Sequence, residues 1–294
     1  MKAKKRKMFN TRFWGVRGSI PCPFKNYLKY GGNTSCVSVN CDDQLIIFDS
    51  GTGIRSLGNQ IIKNKQKKIN LMMSHTHWDH INGFPFFQPA YSKDFFLDIY
   101  CGNLKKYGNS IYNVLSSQMK HPTFPVSIVI FEAKIKYIDF FAGDSFFLTD
   151  EIFIETALLN HPKGATGYRV NFKNNSICYI TDTEHKTGTA DKNILNLIKN
   201  SDLVIYDCTY TDEEFPKHIG WGHSTWQEGI RLCNKAGAKN LAIFHHDPSH
   251  DDCFMDQVSN NAKLIWNKAF VASEGTQVNI IDNKLNFSSF DDSP

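Results

Sequence analysis

Apolar positions along this chain fall into two rhythms, and turn residues mark where one gives way to the other. The first half is dominated by short β-type runs bounded by Gly, Asn and Asp. These lie at residues 12–16, 36–39 and 44–49, the last running into the turn Asp49-Ser50-Gly51-Thr52-Gly53. Residues 57–65 have helical spacing, and 68–74 read as a strand of the buried type that delivers the chain to His75. Further strands are predicted at 97–101, 134–140, 146–148 and 152–158, with a helix over 107–119. In the second half, 168–172 and 176–180 read as a hairpin turning at Asn174-Asn175. A helix follows over 191–200 with Asp191 as N-cap, then a strand at 203–207, a helix at 225–236 and a strand at 240–244. Strands followed by mixed strand–helix units, twice over, suit two sheets packed face to face with helices outside.

Composition narrows this picture. A chain of 294 residues, 41% of them apolar, can bury one large core, and no repeat, linker or low-complexity segment divides it. Residues 12–294 are therefore expected to form a single domain behind a basic tail at 1–11. The formal charge of +4 is concentrated in Lys2, Lys4, Lys5, Arg6 and Lys7, without which the body sits near −1. A nucleic-acid binder would spread its cations over one face, so no stable nucleic-acid complex is expected. Eight scattered cysteines with no CxxC pair read as reduced, mostly buried thiols of a cytoplasmic protein. No apolar h-region follows the basic start, and no run approaches the ~20 apolar residues of a membrane span, so neither a signal peptide nor a membrane partner is expected.

The chemistry is carried by Ser74-His75-Thr76-His77-Trp78-Asp79-His80. Two histidines at i and i+2 on a strand end project to the same side, and the turn beyond brings Asp79 and His80 to a neighbouring point. Three imidazoles and a carboxylate so close together match what a borderline divalent metal prefers. A lone histidine is more often a satisfied core residue, but this density argues otherwise. More ligand-type residues sit where predicted strands end: His161, Asp182 and His245, with His246 competing for the last place because the adjacent pair leaves the register open by one.

Together these segments resemble the metallo-β-lactamase superfamily over about 13–256, most closely the branch of ribonuclease Z, phosphoribosyl cyclic phosphodiesterases and cyclic-nucleotide phosphodiesterases. The resemblance implies an α/β fold, the αββα four-layer sandwich of two mixed β-sheets with outer helices. It implies two divalent metal ions, zinc first, with manganese and iron accepted by the same donors. His75, His77 and His161 would hold one metal, Asp79, His80 and His245 the other, with Asp182 bridging. True β-lactamases of the superfamily typically carry cysteine at the bridging position, and Cys178 lies four residues too early to serve. Asp207-Cys208-Thr209-Tyr210 and Gly222-His223-Ser224-Thr225 resemble the ribonuclease Z segments that supply a general acid, which implies that His223 protonates the leaving oxygen while Asp207 orients it. Asp79 would help hold the attacking water.

The expected activity is hydrolysis of a small phosphodiester, a cyclic nucleotide or related cyclic phosphate. The rivals are a ribonuclease Z-like endonuclease, a glyoxalase II-type thioesterase or lactonase, and a nucleotide-binding regulatory domain without turnover. A homodimer is compatible with the sequence. Among weaker features, Arg17 and Asn33 read as structural rather than phosphate-binding, Phe84-Pro85-Phe86-Phe87 as core, and His121-Pro122-Thr123-Phe124-Pro125 as a loop that could roof the pocket. His185 and His250 are candidates for support behind the ligands.

Overall fold

The computed structural model describes residues 8–64, 66–281 and 284–289, so most of the basic tail lies outside the described residues. Six strands build most of the first sheet: β1 (Phe9–Gly15), β2 (Cys36–Cys41), β3 (Gln44–Phe48), β4 (Lys68–Met73), β5 (Phe96–Cys101) and β6 (Lys134–Asp139). The second sheet holds β7 (Ser145–Thr149), β8 (Ile152–Leu159), β9 (Ala165–Phe172), β10 (Asn175–Ile180), β11 (Leu203–Asp207), β12 (Leu241–Phe244) and β13 (Ala269–Val271). The chain then returns to the first sheet with β14 (Thr276–Ile281) and β15 (Lys284–Ser289). The orders are β15-β14-β1-β2-β3-β4-β5-β6 and β13-β12-β11-β10-β9-β8-β7. Each sheet is mixed: β3 to β6 run parallel, as do β10 to β13, and the remaining pairs are antiparallel.

The inner faces meet in a layer that includes Phe13, Phe48, Tyr168, Tyr179 and Phe244, all fully buried, with Phe48 stacked on Tyr179 at 4.8 Å. The helices cover the outer faces. Helix α1 (Ile54–Asn64) turns Ile54, Leu57 and Ile61 onto the first sheet, next to α2 (Trp78–Ile81) and α3 (Ile111–Gln118). The second sheet is covered by α4 (Lys192–Leu197), α5 (Trp226–Ala236) and α6 (Asp252–Ile265). This is the αββα sandwich, and the strand runs appear where their apolar rhythm placed them.

Several boundaries move, and α6 and β13 to β15 lie beyond the elements predicted; three of the shifts have a clear cause. β1 begins at Phe9, inside the stretch read as tail, because Phe9 packs on Phe172 (5.5 Å) and Asn10 pairs with both Asn40 and Asn279. The β9–β10 hairpin turns at Lys173-Asn174, since Phe172 pairs with Asn175 and Lys173 takes the left-handed conformation the tight turn requires (φ 56°). The helix expected from 107 starts at Ile111: Gly108 (φ 69°) stops one short turn, and Ser110 caps the next by accepting from the Asn113 amide.

Candidate metal centre

Parallel strands deliver their C-terminal ends to one edge of the sandwich, and the ligand-type residues leave from those ends. β4 runs into His75 and His77, then α2 carries Asp79 and His80 back over them. β8 ends before His161, β10 before Asp182, β11 at Asp207 and β12 before His245. Asp49, Asp182 and His245 all have positive φ (58°, 57° and 61°), each just past its strand. A non-glycine residue there costs about 1–2 kcal/mol, and the turn it makes swings the side chain off the strand's alternation and into the space between the sheets. Two glycines leave room for the rings. A Cβ on Gly18 would lie 2.4 Å from His245, and one on Gly222 (φ 87°) would lie 2.3 Å from His161 Nδ1.

All seven sequence-predicted ligand residues converge. His161 Nε2 lies 3.0 Å from His77 Nδ1, and His75 faces the same point. On the other side, His80 Nε2 lies 3.3 Å from His245 Nε2 and 3.2 Å from Asp79 Oδ2. Asp182 stands between. Its Oδ1 is 3.7 Å from His75 Nε2 and 3.8 Å from His161 Nε2, while its Oδ2 is 3.1 Å from His80 Nε2 and 3.4 Å from His245 Nε2. One carboxylate thus addresses two donor sets.

Whether the donors suit a cation can be judged from their protons. His80 Nδ1 is 2.8 Å from Asp49 Oδ2, and a carboxylate can only accept, so this nitrogen carries the hydrogen. Thr209 Oγ1 donates to Asp207 Oδ1 (2.7 Å) and therefore accepts from His245 Nδ1 (3.0 Å). The Gly222 carbonyl likewise fixes the hydrogen of His161 on Nδ1 (2.8 Å). In neutral rings the facing Nε2 atoms are then lone pairs pointed at one another. His75 Nε2 is buried with no hydrogen-bond partner. Nitrogens and oxygens spaced this way match the edge of a tetrahedron with ~2.0–2.2 Å arms, about 3.3–3.6 Å. The group fits divalent cations.

Charge in the cluster agrees. Burial, then the neighbouring His80, hold His75 well below the ordinary histidine range; burial first also lowers His77 and His161. His80 goes the other way: burial opposes its charge, but Asp182, Asp79 and Asp49 outweigh it and push its imidazolium form up. Burial would raise Asp182 and Asp79, yet the surrounding histidines hold both well below the carboxylate range.

Beside the cluster, His223 Nδ1 is 3.0 Å from Asp207 Oδ2 and 3.9 Å from Asp182 Oδ1. Burial opposes its charge, but Asp207 prevails and raises it to about 9. Asp207 is fully buried, and His223 overcomes the effect of burial to keep it ionised.

The ambiguous pair is resolved in position. His245 enters the cluster, whereas His246 turns away and bonds the Ala272 carbonyl (2.9 Å). Arg17 is fully buried and donates to the carbonyls of Gly31 and His250, while Asn33 bonds Glu274, so both are structural. Phe84 and Phe87 are core, but Phe86 is exposed. Phe124 packs on Phe86 (5.9 Å) rather than over the cleft beside His75. His185 and His250 do not reach the cluster. His185 bonds Ser224 (2.8 Å) and His250 bonds Glu214 (2.8 Å).

Sequence reasoning passed over Asp49 as a turn residue. It accepts from the Ser74 amide (2.7 Å), Ser74 Oγ (2.7 Å), Tyr179 OH (2.9 Å) and His80 Nδ1 (2.8 Å), all out of water. The available signal was a carboxylate closing an apolar run, Leu45–Phe48 being without another polar residue.

Comparison with known proteins places the chain. Residues 45–246 match the beta-lactamase superfamily domain. A ribonuclease Z from Picrophilus torridus is 24% identical over 312 aligned positions, covering 92% of this chain and 96% of that protein. Among solved structures, the metallo-beta-lactamase fold protein YhfI from Bacillus subtilis superposes with a TM-score of 0.70 at 17% identity, over 93% of this chain and 100% of the other. A diphosphatase from the PhnP family gives 0.64 at 16% identity, over 95% and 100%. Sheet order, the converging strand ends and the domain match lead to one conclusion: this chain belongs to the metallo-β-lactamase superfamily of hydrolases.

Proposed function

We propose that the protein is a dinuclear metal-dependent phosphodiesterase that cleaves a phosphodiester with a poor, alkoxide-type leaving group. The observation that carries this reading is His223, anchored to Asp207 and within 3.9 Å of the Asp182 carboxylate. His75, His77 and His161 would hold one cation, Asp79, His80 and His245 the second, with Asp182 shared. Cations bound there supply Lewis-acid polarisation of the phosphoryl group and acidify a water molecule. Asp79 accepts from the Ser19 amide (2.7 Å), which orients its carboxylate; it would help hold the attacking water. Commitment of His223 Nδ1 to Asp207 leaves Nε2 as the atom that gives its proton to the departing oxygen. A thioester has a leaving group that needs no such donor, which argues against the glyoxalase II-type reading.

A cyclic nucleotide or related cyclic phosphate is the first substrate class, with zinc the first cation and manganese or iron alternatives. A second reading, RNA cleavage of the ribonuclease Z type, is favoured by the end-to-end similarity to the Picrophilus torridus protein. Purified, metal-analysed protein assayed on 2′,3′- and 3′,5′-cyclic nucleotides, a 3′-extended RNA, bis(p-nitrophenyl) phosphate and an acyl-glutathione thioester tests all of this. Hydrolysis of a phosphodiester well above the thioester is expected. A metal-free yet active wild type, or comparable rates on the thioester, would end the proposal.

A further inference from the structure

A cleft of about 360 Å³ opens beside His75 and His77 and reaches Tyr107 and Lys163. Lys163 lines it, and Lys106, from a distant part of the chain, reaches the same Tyr107 ring. Lys106 Nζ lies 4.9 Å from the centre of the Tyr107 ring and Lys163 Nζ 5.7 Å from it. Among the described residues neither lysine forms an ion pair with a carboxylate. A cation held over an aromatic face is positioned without being neutralised, since the ring offers a quadrupole and no net charge. The turn that presents Lys163 is fixed. Lys163 has φ 63°, the Gly164 amide donates to the His161 carbonyl, and buried Asn103 donates to the Gly164 carbonyl (2.9 Å). That turn starts at His161, so Pro162 alone separates the lysine from a residue of the cluster. Two uncompensated ammonium groups beside a site that addresses a phosphodiester match an additional anion on the same substrate.

Resting on the phosphodiesterase reading, we propose that Lys106 and Lys163, steadied over the Tyr107 ring, bind a second phosphate of the substrate, next to the one that is cleaved. Tyr107 is a positioning residue. The second phosphate is either a terminal phosphate on a small cyclic phosphate or the neighbouring linkage of a polynucleotide.

The test compares substrates that differ only in that group. Adenosine 2′,3′-cyclic phosphate is assayed beside the same compound carrying a 5′-phosphate, and the dinucleotide UpA beside pUpA and a longer RNA. Calorimetry on the metal-loaded protein compares adenosine 3′-phosphate with adenosine 3′,5′-bisphosphate. The wild type is expected to favour the doubly phosphorylated member by about tenfold or more, the scale of a charge-assisted contact. That ratio is expected to fall with added salt. In Lys106→Gln/Lys163→Gln the ratio is expected to approach one, and in Tyr107→Leu to fall part of the way. A preference confined to the 5′-phosphorylated small compounds identifies a terminal phosphate; one that appears only with RNA identifies a backbone. Equal wild-type constants within every pair, or a ratio untouched by the double substitution, would overturn the subsite. The salt dependence of the wild-type ratio decides the matter even if the variants do not fold. Binding that favours the bisphosphate without hydrolysis of any diester would leave the subsite standing and remove the phosphodiesterase reading.

Discussion

Consider Asp49→Asn, which changes one oxygen for an amide nitrogen with hardly any change in shape. Asp49 accepts four hydrogen bonds in the interior, from the Ser74 amide and hydroxyl, Tyr179 OH and His80 Nδ1. Asparagine keeps one carbonyl oxygen, which can still take the Ser74 amide. The opposite position becomes an NH₂ facing three donors, including His80 Nδ1–H at 2.8 Å. The hydroxyls can rotate away, but the imidazole can escape only by moving its hydrogen to Nε2. That is the nitrogen 3.2 Å from Asp79 and 3.1 Å from Asp182, so the shift removes His80 from the donor set or sets a tautomer penalty on every binding event. Loss of such supporting groups typically costs 10–100-fold in metal affinity, about 1.4–2.8 kcal/mol. The cost is expected to fall mainly on one cation of two, because Asp49 bonds His80 directly and reaches His75 only through the Ser74 hydroxyl, 3.1 Å from His75 Nδ1. Competition against a graded chelator, with metal counted per chain, should show one affinity unchanged and one weakened within that range. Two unchanged affinities, or equal weakening of both, would refute the claim that Asp49 acts through the His80 tautomer.

Three further outcomes follow from the same geometry. His223→Ala should keep both cations and much of its turnover on bis(p-nitrophenyl) phosphate, yet lose about 10²–10⁴-fold on a ribose-leaving diester, with Asp207→Asn milder; kcat on both substrates decides, and equal losses would mean that His223 only positions the phosphate. His245→Ala should lose metal and activity together while His246→Ala keeps its metal, as measured by elemental analysis, because only His245 faces the cluster. The imidazolium form of His80 is favoured in the metal-free protein, so a cation must displace its proton. Affinity should therefore rise with pH until that raised value is passed, and the calorimetric heat of metal binding should depend on the ionisation heat of the buffer. A heat independent of buffer would count against a protonated His80.

The sequence alone determined which residue types gather and roughly where the chain turns. The runs Leu45–Phe48 of β3 and Leu241–Phe244 of β12 are legible because burial on both faces leaves no polar interruption, and β4 carries only Asn70 inside its run; function sits where such runs stop. His75, His77, Asp79, His80, His161 and Asp182 could be read that way, whereas Asp207 and His223 came from the resemblance. The resemblance also added the pairing of the ligands into two sets, which spacing cannot supply. What only tertiary structure decided depends on contacts between segments far apart in the chain. Asp49 looks like any turn aspartate until Tyr179, 130 residues away, and His80 are brought to its oxygens. His245 and His246 are equivalent along the sequence, and the choice between them was made by a positive φ at the end of β12 and by the Ala272 carbonyl that takes up His246. Likewise Lys106 and Lys163 read separately as ordinary surface charges. They become a paired feature only because β5 and β8 end at the same edge of the sandwich and the turns that follow meet over Tyr107. Periodicity reports what a residue's own strand or helix buries; it carries no information on which distant side chain will face it across the gap between two sheets.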